Sequence, residues 1–447
     1  MIEWLTAIYF TSFIIISIYT ASLLVVVIKF RRHSRQTLIE IHENSPDVTI
    51  QIPLFNPDEI TFINCIEAVE KISYPKKHLQ IQVLDDSTKS STIEFIKDIC
   101  TKKEIELIHR DNREGYRAGA FANSMSSVLG EYIAIINVDC IPSPNFLEMM
   151  VGAIHNDPKN GYVMSNHVYY NRFLNNQTRV TSIILDMGIM NLNGLSMLTG
   201  GGVVIRKQAI IDAGGWQGDT ICDDYDTGAR ILAQGYNSIF FREVLFPCEA
   251  PENFRDYRKT TERWARASGQ YIRKDFFTIL KGKLSTPNKF LLLTLSTGFI
   301  QMLASVINLL ATLILIYFNA IPGKEYVALW SIVSLTGFSL YIYYYHVTHF
   351  RGLSMKSNIR YLLLAIVIGY GSIFFITYNL LKGLLETGVE RAIMRVNTRV
   401  ESALIDIIYI ILTSFIFFFA FIYSNVILAM YMVLNLLGII LIRTEKV

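Results

Sequence analysis

Two long apolar stretches flank a more polar middle region, and this distribution constrains the fold more than any other feature of the sequence. Of the 447 residues, 51% are hydrophobic and only 18% are charged, a balance that is uncommon in water-soluble proteins. The apolar residues are gathered in runs of roughly 20, the length that a helix needs to cross a bilayer. We therefore expect a membrane protein whose partners include the lipid bilayer and exclude nucleic acid.

The first apolar stretch, Trp4–Ile28, is followed at once by the basic run KFRRHSR. A cleaved signal peptide would carry its positive charge before the apolar run and a small-residue cleavage site after it. This segment has neither, so residues 1–30 are predicted to be a retained transmembrane helix. The basic run places its end in the cytoplasm and its amino terminus outside.

The last part of the chain is again hydrophobic, and residues 287–447 are predicted to be a C-terminal transmembrane region. Its basic loops, His349–Arg360 and Lys382–Glu401, both favour the cytoplasm, yet a single span between them would separate them. We therefore expect residues 361–381, which contain two glycines, to be re-entrant or interfacial. Five helices then span the membrane, with six as the alternative. The candidate segments are Phe290–Tyr317, Tyr326–Tyr345, Tyr361–Leu381, Leu404–Phe421 and Val426–Ile442.

Residues 40–250 have the composition of a water-soluble α/β domain, and residues 251–286 are predicted to be amphipathic interfacial helices. Short β-rich runs such as DVTIQIPLF and EYIAIINVD alternate with helical patterns such as ITFINCIEAVEKI. This alternation predicts a mostly parallel sheet with helices on both faces. Ligands bind outside the carboxyl ends of the strands in such sheets. Because Asp85, Asp86 and Asp139 each end a predicted strand, we expect them at a ligand crevice.

The remaining motifs are ambiguous one at a time. REGYRAGA and TGGGVVIRK are compatible with ordinary turns, and the acids of DTICDDYDTGARI suit a helix amino terminus. ERWARASGQYIRKDF suits an amphipathic helix on a membrane surface. Their order is more specific: a carboxylate pair after an early strand, R-A-G-A, an acid before I-P, a glycine-rich turn, then D-D-x-D and R-W.

This ordered set resembles the membrane glycosyltransferases of family 2, the cellulose-synthase-like group, and is similar above all to its mannan and glucomannan synthases. The similarity covers nearly the whole chain, from TIQIPLFNPDE to YNLLKGLLETGVERAIMRVNTRVES. It implies a GT-A type nucleotide-sugar-binding domain fused to an α-helical membrane region. It also implies an inverting hexosyltransferase, multi-pass in the cell membrane, with its catalytic domain in the cytoplasm.

The resemblance implies roles on the donor side. Asp85 and Asp86 would bind the base and the rest of the nucleotide-sugar donor, and Arg117 would contact the diphosphate. Asp139 would bind Mg²⁺ or Mn²⁺, hard ions that take one or two carboxylates plus phosphate oxygens and water. The family motif D-x-D reads N-V-D here, so Asn137 replaces the first acid and is expected to bond a sugar or ribose hydroxyl.

On the acceptor side, Asp224 is the predicted catalytic base, because a carboxylate near the acceptor hydroxyl can take its proton as that oxygen attacks. The family triplet T-E-D reads Cys222-Asp223-Asp224 here, and Asp223 is predicted to contact substrate. Gly201, in the glycine-rich turn, would let a sugar approach the backbone.

Arg263 and Trp264 match the end of the family motif Q-x-x-R-W, whose Gln position is Thr260 here. By resemblance, the arginine would contact the diphosphate and the indole would stack on the acceptor sugar, roles that suit a guanidinium and a flat apolar ring. The simpler alternative, compatible with the first, is that Trp264 anchors an interfacial helix.

Three functions remain open. The leading one is transfer of a hexose from a donor of the UDP-glucose or GDP-mannose type to a growing β-glycan, which is then exported. The second is non-processive addition of one sugar to a lipid or polyprenyl acceptor, favoured slightly by Asn137 and the missing Gln. The third, a transporter or receptor with a nucleotide-sensing domain, gives no reason for Asp224 followed by Arg263 and Trp264.

The five cysteines are scattered along the chain, with no C-x-x-C pair and no zinc-ligand spacing. We expect them to be reduced thiols in a cytosolic compartment. They are Cys65, Cys100, Cys140, Cys222 and Cys248.

Overall fold

The computed structural model describes residues 1–31, 45–188, 194–320, 355–386, 407–408, 410–411, 413–414 and 426–444. Within these ranges an α/β domain follows an amino-terminal helix and precedes a group of apolar helices. The strands are β1 (Val48–Leu54), β2 (Leu79–Asp85), β3 (Glu106–His109), β4 (Tyr132–Ile135), β5 (Asn160–Tyr169), β6 (Val203–Arg206) and β7 (Asn237–Cys248). The helices are α1 (Ile2–Arg31), α2 (Glu59–Glu70), α3 (Ser90–Lys102), α4 (Tyr116–Ser124), α5 (Phe146–His155), α6 (Asn176–Gly188), α7 (Lys207–Asp212), α8 (Asp223–Ala233), α9 (Phe254–Lys281), α10 (Thr286–Ser296), α11 (Phe299–Tyr317), α12 (Met355–Leu385) and α13 (Val426–Thr444).

The strands form one mixed sheet in the order β3-β2-β1-β4-β6-β5-β7. Strand β1 pairs in parallel with β2 and β4, β2 with β3, and β5 with β7. Only β6, among the strands of this sheet, runs antiparallel, and it does so to both β4 and β5. The prediction of a mostly parallel sheet is confirmed. The carboxyl ends of β1, β2, β3 and β4 therefore meet at one edge.

Helices cover both faces of this sheet, as the strand and helix alternation predicts. Successive strand residues point to opposite faces, and β4 shows the division. Tyr132 and Ala134 belong to the core beneath α2, α3 and α5. Ile133 and Ile135 belong to the core beneath α4, α7, α8 and α9. The second core is thus the one on which α4 and α8 are positioned.

Strand β4 is shorter than its sequence predicts. The apolar run continues to Val138, but the strand ends at Ile135 and the chain then turns. The turn is closed by a bond of 3.0 Å from the Cys140 amide to the Asn137 carbonyl. Asp139 therefore lies in a turn beyond the strand, where its side chain is exposed, and is not the last residue of the strand.

Within the described residues, three helices are long and apolar enough to cross a membrane, judged by length and composition: Ile2–Val26, Phe299–Tyr317 and Ile359–Leu385. The predicted segment Phe290–Tyr317 is divided, because α10 ends at Ser296 and α11 begins at Phe299. The first part of that segment packs as a separate short helix, and α11 alone supplies the apolar length.

Helix α12 runs without a break through Gly369 and Gly371, so the two glycines do not interrupt it. Its re-entrant or interfacial placement stays a prediction. Segment Tyr326–Tyr345 and most of Leu404–Phe421 lie outside the described residues. Segment Val426–Ile442 falls within α13.

Polar side chains tie helix α1 to α11 and to Thr297, which lies between α10 and α11. The Asn308 amide donates to the Tyr9 carbonyl at 3.1 Å and to the Ser12 hydroxyl at 2.9 Å. The Tyr19 hydroxyl donates to the Thr297 carbonyl at 2.9 Å. Such bonds join apolar helices where hydrocarbon offers no competing partner.

Helices α9 and α12 cross with their backbones almost in contact. A Cβ placed on Gly383 would lie 1.9 Å from the Arg266 carbonyl oxygen, and one on Gly269 would lie 2.3 Å from the Leu380 carbonyl oxygen. The Arg266 guanidinium also donates to Glu386 at 2.6 Å. The crossing therefore requires glycine on both helices and fixes the long helix α9 against the apolar helix α12.

A buried pair of carboxyl groups joins α8 to α9. Asp226 is fully buried and accepts bonds from Arg230 at 3.1 and 2.8 Å, with the Lys274 ammonium 3.0 Å away. Asp275 is also fully buried, and neither of its oxygens has a hydrogen-bond donor. Burial first, and then Asp226, raise the pKa of Asp275 to about 8, while Lys274 and Arg230 lower it. Asp275 therefore stays protonated up to about pH 8 and contributes no second negative charge beside Asp226.

We expect Gly383→Ala to destabilise the protein by about 1–3 kcal/mol, because its new methyl group has no room beside Arg266. Gly369→Ala is the matched control on the same helix, since its Cβ would meet nothing within 4 Å. Alanine there should be neutral or stabilising by up to about 1 kcal/mol. Thermal unfolding in detergent compares the two, and equal melting temperatures would contradict the glycine crossing.

We expect Asp275→Asn to reduce the pH dependence of stability between about pH 4 and pH 8. Folded Asp275 keeps its proton up to about pH 8, whereas the unfolded chain loses it near 3.8. The unfolded state therefore binds fewer protons in this window, and the free energy of unfolding of the wild type falls as pH rises.

Asparagine mimics the protonated acid, so this contribution disappears and the variant should be the more stable protein near pH 8. Denaturant unfolding at several pH values measures the slope. Asp98→Asn, on the exposed side of α3, is the control and should leave the slope unchanged. An unchanged slope in Asp275→Asn would show that Asp275 does not hold the proton.

Candidate active site

The predicted donor residues lie at the edge where β1, β2 and β4 end. Asp85 is the last residue of β2 and pairs in register with Leu54 of β1. The turn that contains Asn137 and Asp139 follows β4, on the other side of β1. The structure thus places Asp85, Asp86 and Asp139 at the same carboxyl edge of the sheet, as predicted.

Asp85 and Asp86 are both held by basic side chains at the carboxyl end of β3. Asp85 is fully buried and accepts bonds from the Ser87 amide at 2.8 Å and from the His109 ring at 2.7 Å. Asp86 pairs with Arg110, whose guanidinium reaches its two oxygens at 2.8 and 2.6 Å. Both carboxylates are therefore fixed in place, and their contact with a nucleotide stays a prediction.

Arg110 also fixes the start of α4. Its guanidinium donates to the carbonyls of Glu114 and Tyr116, at 3.0 and 2.9 Å. Gly115, which precedes the helix, has a φ of 67°, a left-handed conformation that glycine adopts without strain. Arg117 consequently lies in the first turn of α4, at the helix start that the sequence predicts.

The Arg117 guanidinium joins α4 to the acids that begin α8. It reaches Asp223 through Nε and Nη2, both at 2.9 Å, and its Nη2 lies 3.2 Å from Asp224. Its Nη1 donates to the Gly200 carbonyl at 3.2 Å. Asp223 is nearly fully buried in this pair, so its predicted substrate contact would require the pair to open.

Asp224 is the more open of the two acids. Its side chain is 21% exposed, against 7% for Asp223. One of its oxygens accepts a bond of 2.8 Å from the Tyr225 amide. Enclosure by protein raises the pKa of Asp224, the Arg117 charge lowers it, and neighbouring Asp223 raises it again. A carboxylate that is reachable and more basic than usual suits a general base.

The glycine-rich turn before β6 packs between the other parts of the site. A Cβ on Gly200 would lie 2.4 Å from the Arg117 guanidinium, and one on Gly201 would lie 2.9 Å from the Asn137 amide. The Gly201 carbonyl is also 2.8 Å from the His167 ring. These glycines let side chains of the site approach the backbone. Sugar contact by Gly201 stays a prediction.

Asp139 is an exposed carboxylate at the mouth of this arrangement. Among the residues that the structure describes, no group of three or more His, Cys, Asp or Glu side chains is placed to hold a metal ion. A metal at Asp139 would therefore take most of its ligands from phosphate oxygens and water. Mg²⁺ at diphosphates is held in that way, so one exposed carboxylate fits the predicted role.

Arg263 lies on α9 and faces the same group of charges. Its side chain is exposed, but crowding by protein lowers its pKa, as does the nearby charge of Arg117. The carboxylates of Asp224, Asp223 and Asp139 act in the opposite direction. Arg263 therefore lies within electrostatic range of Arg117 and of the three carboxylates. The glycine-rich turn connects the two groups of acids, because Gly201 packs against Asn137 and Gly200 packs against Arg117.

Trp264, the next residue of α9, is half-buried and packs against a core that α6, α9 and α12 form. This packing holds part of the indole against the protein, and anchoring of an interfacial helix by Trp264 stays a prediction. Stacking on an acceptor sugar is not tested by this contact and stays a prediction.

Sequence reasoning missed the bases that hold the donor acids. His109 ends β3 and Arg110 follows it, just as Asp85 ends β2 and Asp86 follows it. The rule that site residues lie at the carboxyl ends of parallel strands, applied to β3, identifies both bases. Gly200 and Asp275 were missed for a different reason, because their roles depend on partners far away along the chain.

Two family models match this chain. Glycosyl transferase family 2 matches residues 49–213, which contain the carboxyl edge of β1, β2 and β4. Glycosyl transferase family group 2 matches residues 132–441, more than half of the sequence.

Curated relatives include probable glucomannan 4-beta-mannosyltransferase 10 of Arabidopsis thaliana, 29% identical over 288 residues, which are 61% of this chain and 52% of the relative. Probable glucomannan 4-beta-mannosyltransferase 4 of Oryza sativa subsp. japonica is 28% identical over 304 residues, 64% of this chain and 55% of the relative. The chain thus spans about half the length of the curated relatives it matches.

Among solved structures, the fold is similar to that of a mannosyltransferase from Pyrobaculum calidifontis in complex with GDP-Man and Mn²⁺. The TM-score is 0.54 at 18% identity, covering 81% of this chain and 98% of that chain. At this identity the likeness concerns the fold, and it confirms an α/β domain of the GT-A type. The motifs and the family models agree, and the chain belongs to glycosyltransferase family 2.

Proposed function

We propose that the chain is an inverting membrane glycosyltransferase that transfers a hexose from a nucleotide sugar to a growing β-glycan. The observation that carries this proposal is that Arg117 contacts Asp224 at 3.2 Å and Gly200, while Gly201 packs against Asn137, two residues before Asp139. The charge of Arg263 is felt in the same region. A metal-binding acid, cations for a diphosphate and a general base are what such a transfer needs. The family supports the same reaction.

Asp224 acts as the base in this proposal. The acceptor hydroxyl gives its proton to Asp224 while its oxygen attacks the anomeric carbon of the donor. The attack comes from the side opposite to the leaving diphosphate, so the configuration at that carbon is inverted. Arg117, 3.2 Å from Asp224, keeps the carboxylate ionised against the burial that raises its pKa.

Arg117 and Arg263 have different roles in this proposal. Arg117 is occupied by Asp223, Asp224 and the Gly200 carbonyl, so its main task is to hold the acids. Arg263 has an exposed side chain in the same region and is placed to pair with the diphosphate. When bound at Asp139, Mg²⁺ or Mn²⁺ would neutralise charge on the leaving diphosphate.

The names of the relatives support a mannose donor. Glucomannan mannosyltransferases match the sequence, and the similar fold belongs to a protein solved with GDP-Man. We propose GDP-mannose first and UDP-glucose second. The site would face the cytoplasm, where nucleotide sugars are made, and the membrane would be crossed several times. Export of the glycan would need polar groups that face inward from the apolar helices. Asn308, a polar residue of α11, is not such a group, because its amide bonds to α1.

We expect Asp224→Asn to reduce nucleoside diphosphate release by at least about 100-fold, since the amide cannot take the proton. Binding of the donor should be nearly unchanged, because Arg263 and Asp139 remain. Turnover and nucleotide binding by purified protein are measured with Mn²⁺ present. Asp98→Asn on α3 serves as the carboxylate control and should keep full activity. Retained turnover in Asp224→Asn would remove Asp224 from the mechanism.

We expect labelled GDP-mannose to yield a ladder of β-linked oligosaccharides, because the acceptor is a growing glycan. Product size is read by gel or mass spectrometry, and sensitivity to a β-mannanase checks the linkage. A product of one sugar on a lipid would instead identify the non-processive enzyme, leaving the donor chemistry of the site intact.

A further inference from the structure

Two cysteine sulfurs lie next to each other beside the donor edge of the sheet. The Sγ atoms of Cys140 and Cys248 are 2.9 Å apart, although the residues are separated by 108 positions. Cys140 directly follows Asp139, and Cys248 is the last residue of β7. A disulfide bond is about 2.05 Å long, so the sulfurs need to approach by roughly 0.9 Å to form one.

The backbone holds the two cysteines in this position. The Ile141 amide donates to the Pro247 carbonyl at 3.0 Å, one residue from each cysteine. The Tyr170 amide donates to the Cys248 carbonyl at 3.1 Å, which fixes the end of β7. The sulfur contact is therefore a property of the turn and the strand.

All five cysteines lie in the described part of the chain, and the contact distinguishes this pair from the other three. The Cys65 sulfur is 3.8 Å from the Asn137 carbonyl, and the Cys222 sulfur is 3.2 Å from the Ala267 carbonyl. Cys100 is buried in α3. Each of these three lacks a second sulfur among its hydrogen-bond contacts in that part of the chain.

The two sulfurs differ in access. Cys140 is 1% exposed, whereas Cys248 is partly exposed. An oxidant in solution therefore reaches Cys248 first, and Cys140 then reacts from within the protein. The same turn bears Asp139, whose carboxylate oxygen is 3.5 Å from the Cys140 sulfur.

We propose that Cys140 and Cys248 form a reversible disulfide that weakens metal and donor binding at Asp139. The effect on metal and donor binding rests on the proposed function, whereas the disulfide itself does not. The Cys248 thiolate attacks oxidised glutathione, forms a mixed disulfide and releases one glutathione thiolate. The Cys140 sulfur, after losing its proton, displaces the second glutathione. Two protein thiols become one disulfide, and one glutathione disulfide becomes two glutathione thiols.

The bond changes the surroundings of Asp139 in two ways. It draws Cys140 towards β7 and so displaces the adjacent Asp139, and it removes the thiol proton that faces the Asp139 carboxylate. A misplacement near 1 Å can cost about 100-fold in rate. A reducing cytoplasm keeps the thiols apart and the enzyme active.

The test uses the full-length protein in detergent, with reduced and glutathione-oxidised samples trapped by N-ethylmaleimide. Peptide mass spectrometry should find Cys140 joined to Cys248 in the oxidised sample. Nucleoside diphosphate release and Mn²⁺ affinity in the presence of GDP should each fall about 10-fold or more. A misplacement of about 1 Å can lower a rate by about 100-fold, so a loss of this size is within reach of a small displacement of Asp139. Release and affinity should both return with dithiothreitol.

Cys248→Ser should abolish the cross-link and the response to oxidation while keeping the reduced activity. Cys100→Ser is the matched control and should respond as the wild type does. Absence of the cross-link, or a cross-link that leaves both release and Mn²⁺ affinity unchanged, overturns the proposal. If reduced protein releases no nucleotide, the proposed function fails, and the mass spectrum and Mn²⁺ titration still decide on the disulfide.

Discussion

The ion pair between Arg117 and the acids of α8 is the interaction on which the arrangement of the site depends. One guanidinium contacts Asp223, Asp224 and the Gly200 carbonyl, so it holds α4, α8 and the glycine-rich turn together. Because Asp223 is nearly buried, loss of Arg117 would leave an uncompensated charge, which costs about 3–5 kcal/mol in comparable pairs. Stability and the position of the base therefore depend on the same contact.

Helix α8 carries aspartates on two sides, one towards the site and one towards the interior of the domain. Its first residues face the site, whereas Asp226 faces the interior and bonds to Arg230 and Lys274. The protonated Asp275 of α9 completes that inner side. Helix α9 therefore has two roles: it packs against the interior side of α8, and it carries Arg263 on the side of the candidate active site.

The sequence predicted the parts of the molecule whose cause is local. Alternation of strands and helices gave the parallel sheet, and the position of Asp85 at a strand end put it at the donor edge. The predicted end of β4 was wrong, because apolar residues continue beyond the strand, through the turn, to Val138. Pairs such as Arg117 with Asp223, 106 residues apart, leave no pattern in a single sequence, because only the folded chain brings them together. The same holds for the two facing thiols.

The glycine crossing of α9 and α12 has a geometrical consequence for the acceptor. No side chain separates the two backbones at Gly269 and Gly383, so the distance between the helices cannot shrink, and there is no side chain to repack. Arg263 lies on the same helix as Gly269, so its position relative to α12 is fixed by this crossing. In the proposed reaction the acceptor hydroxyl has to reach the donor at that position.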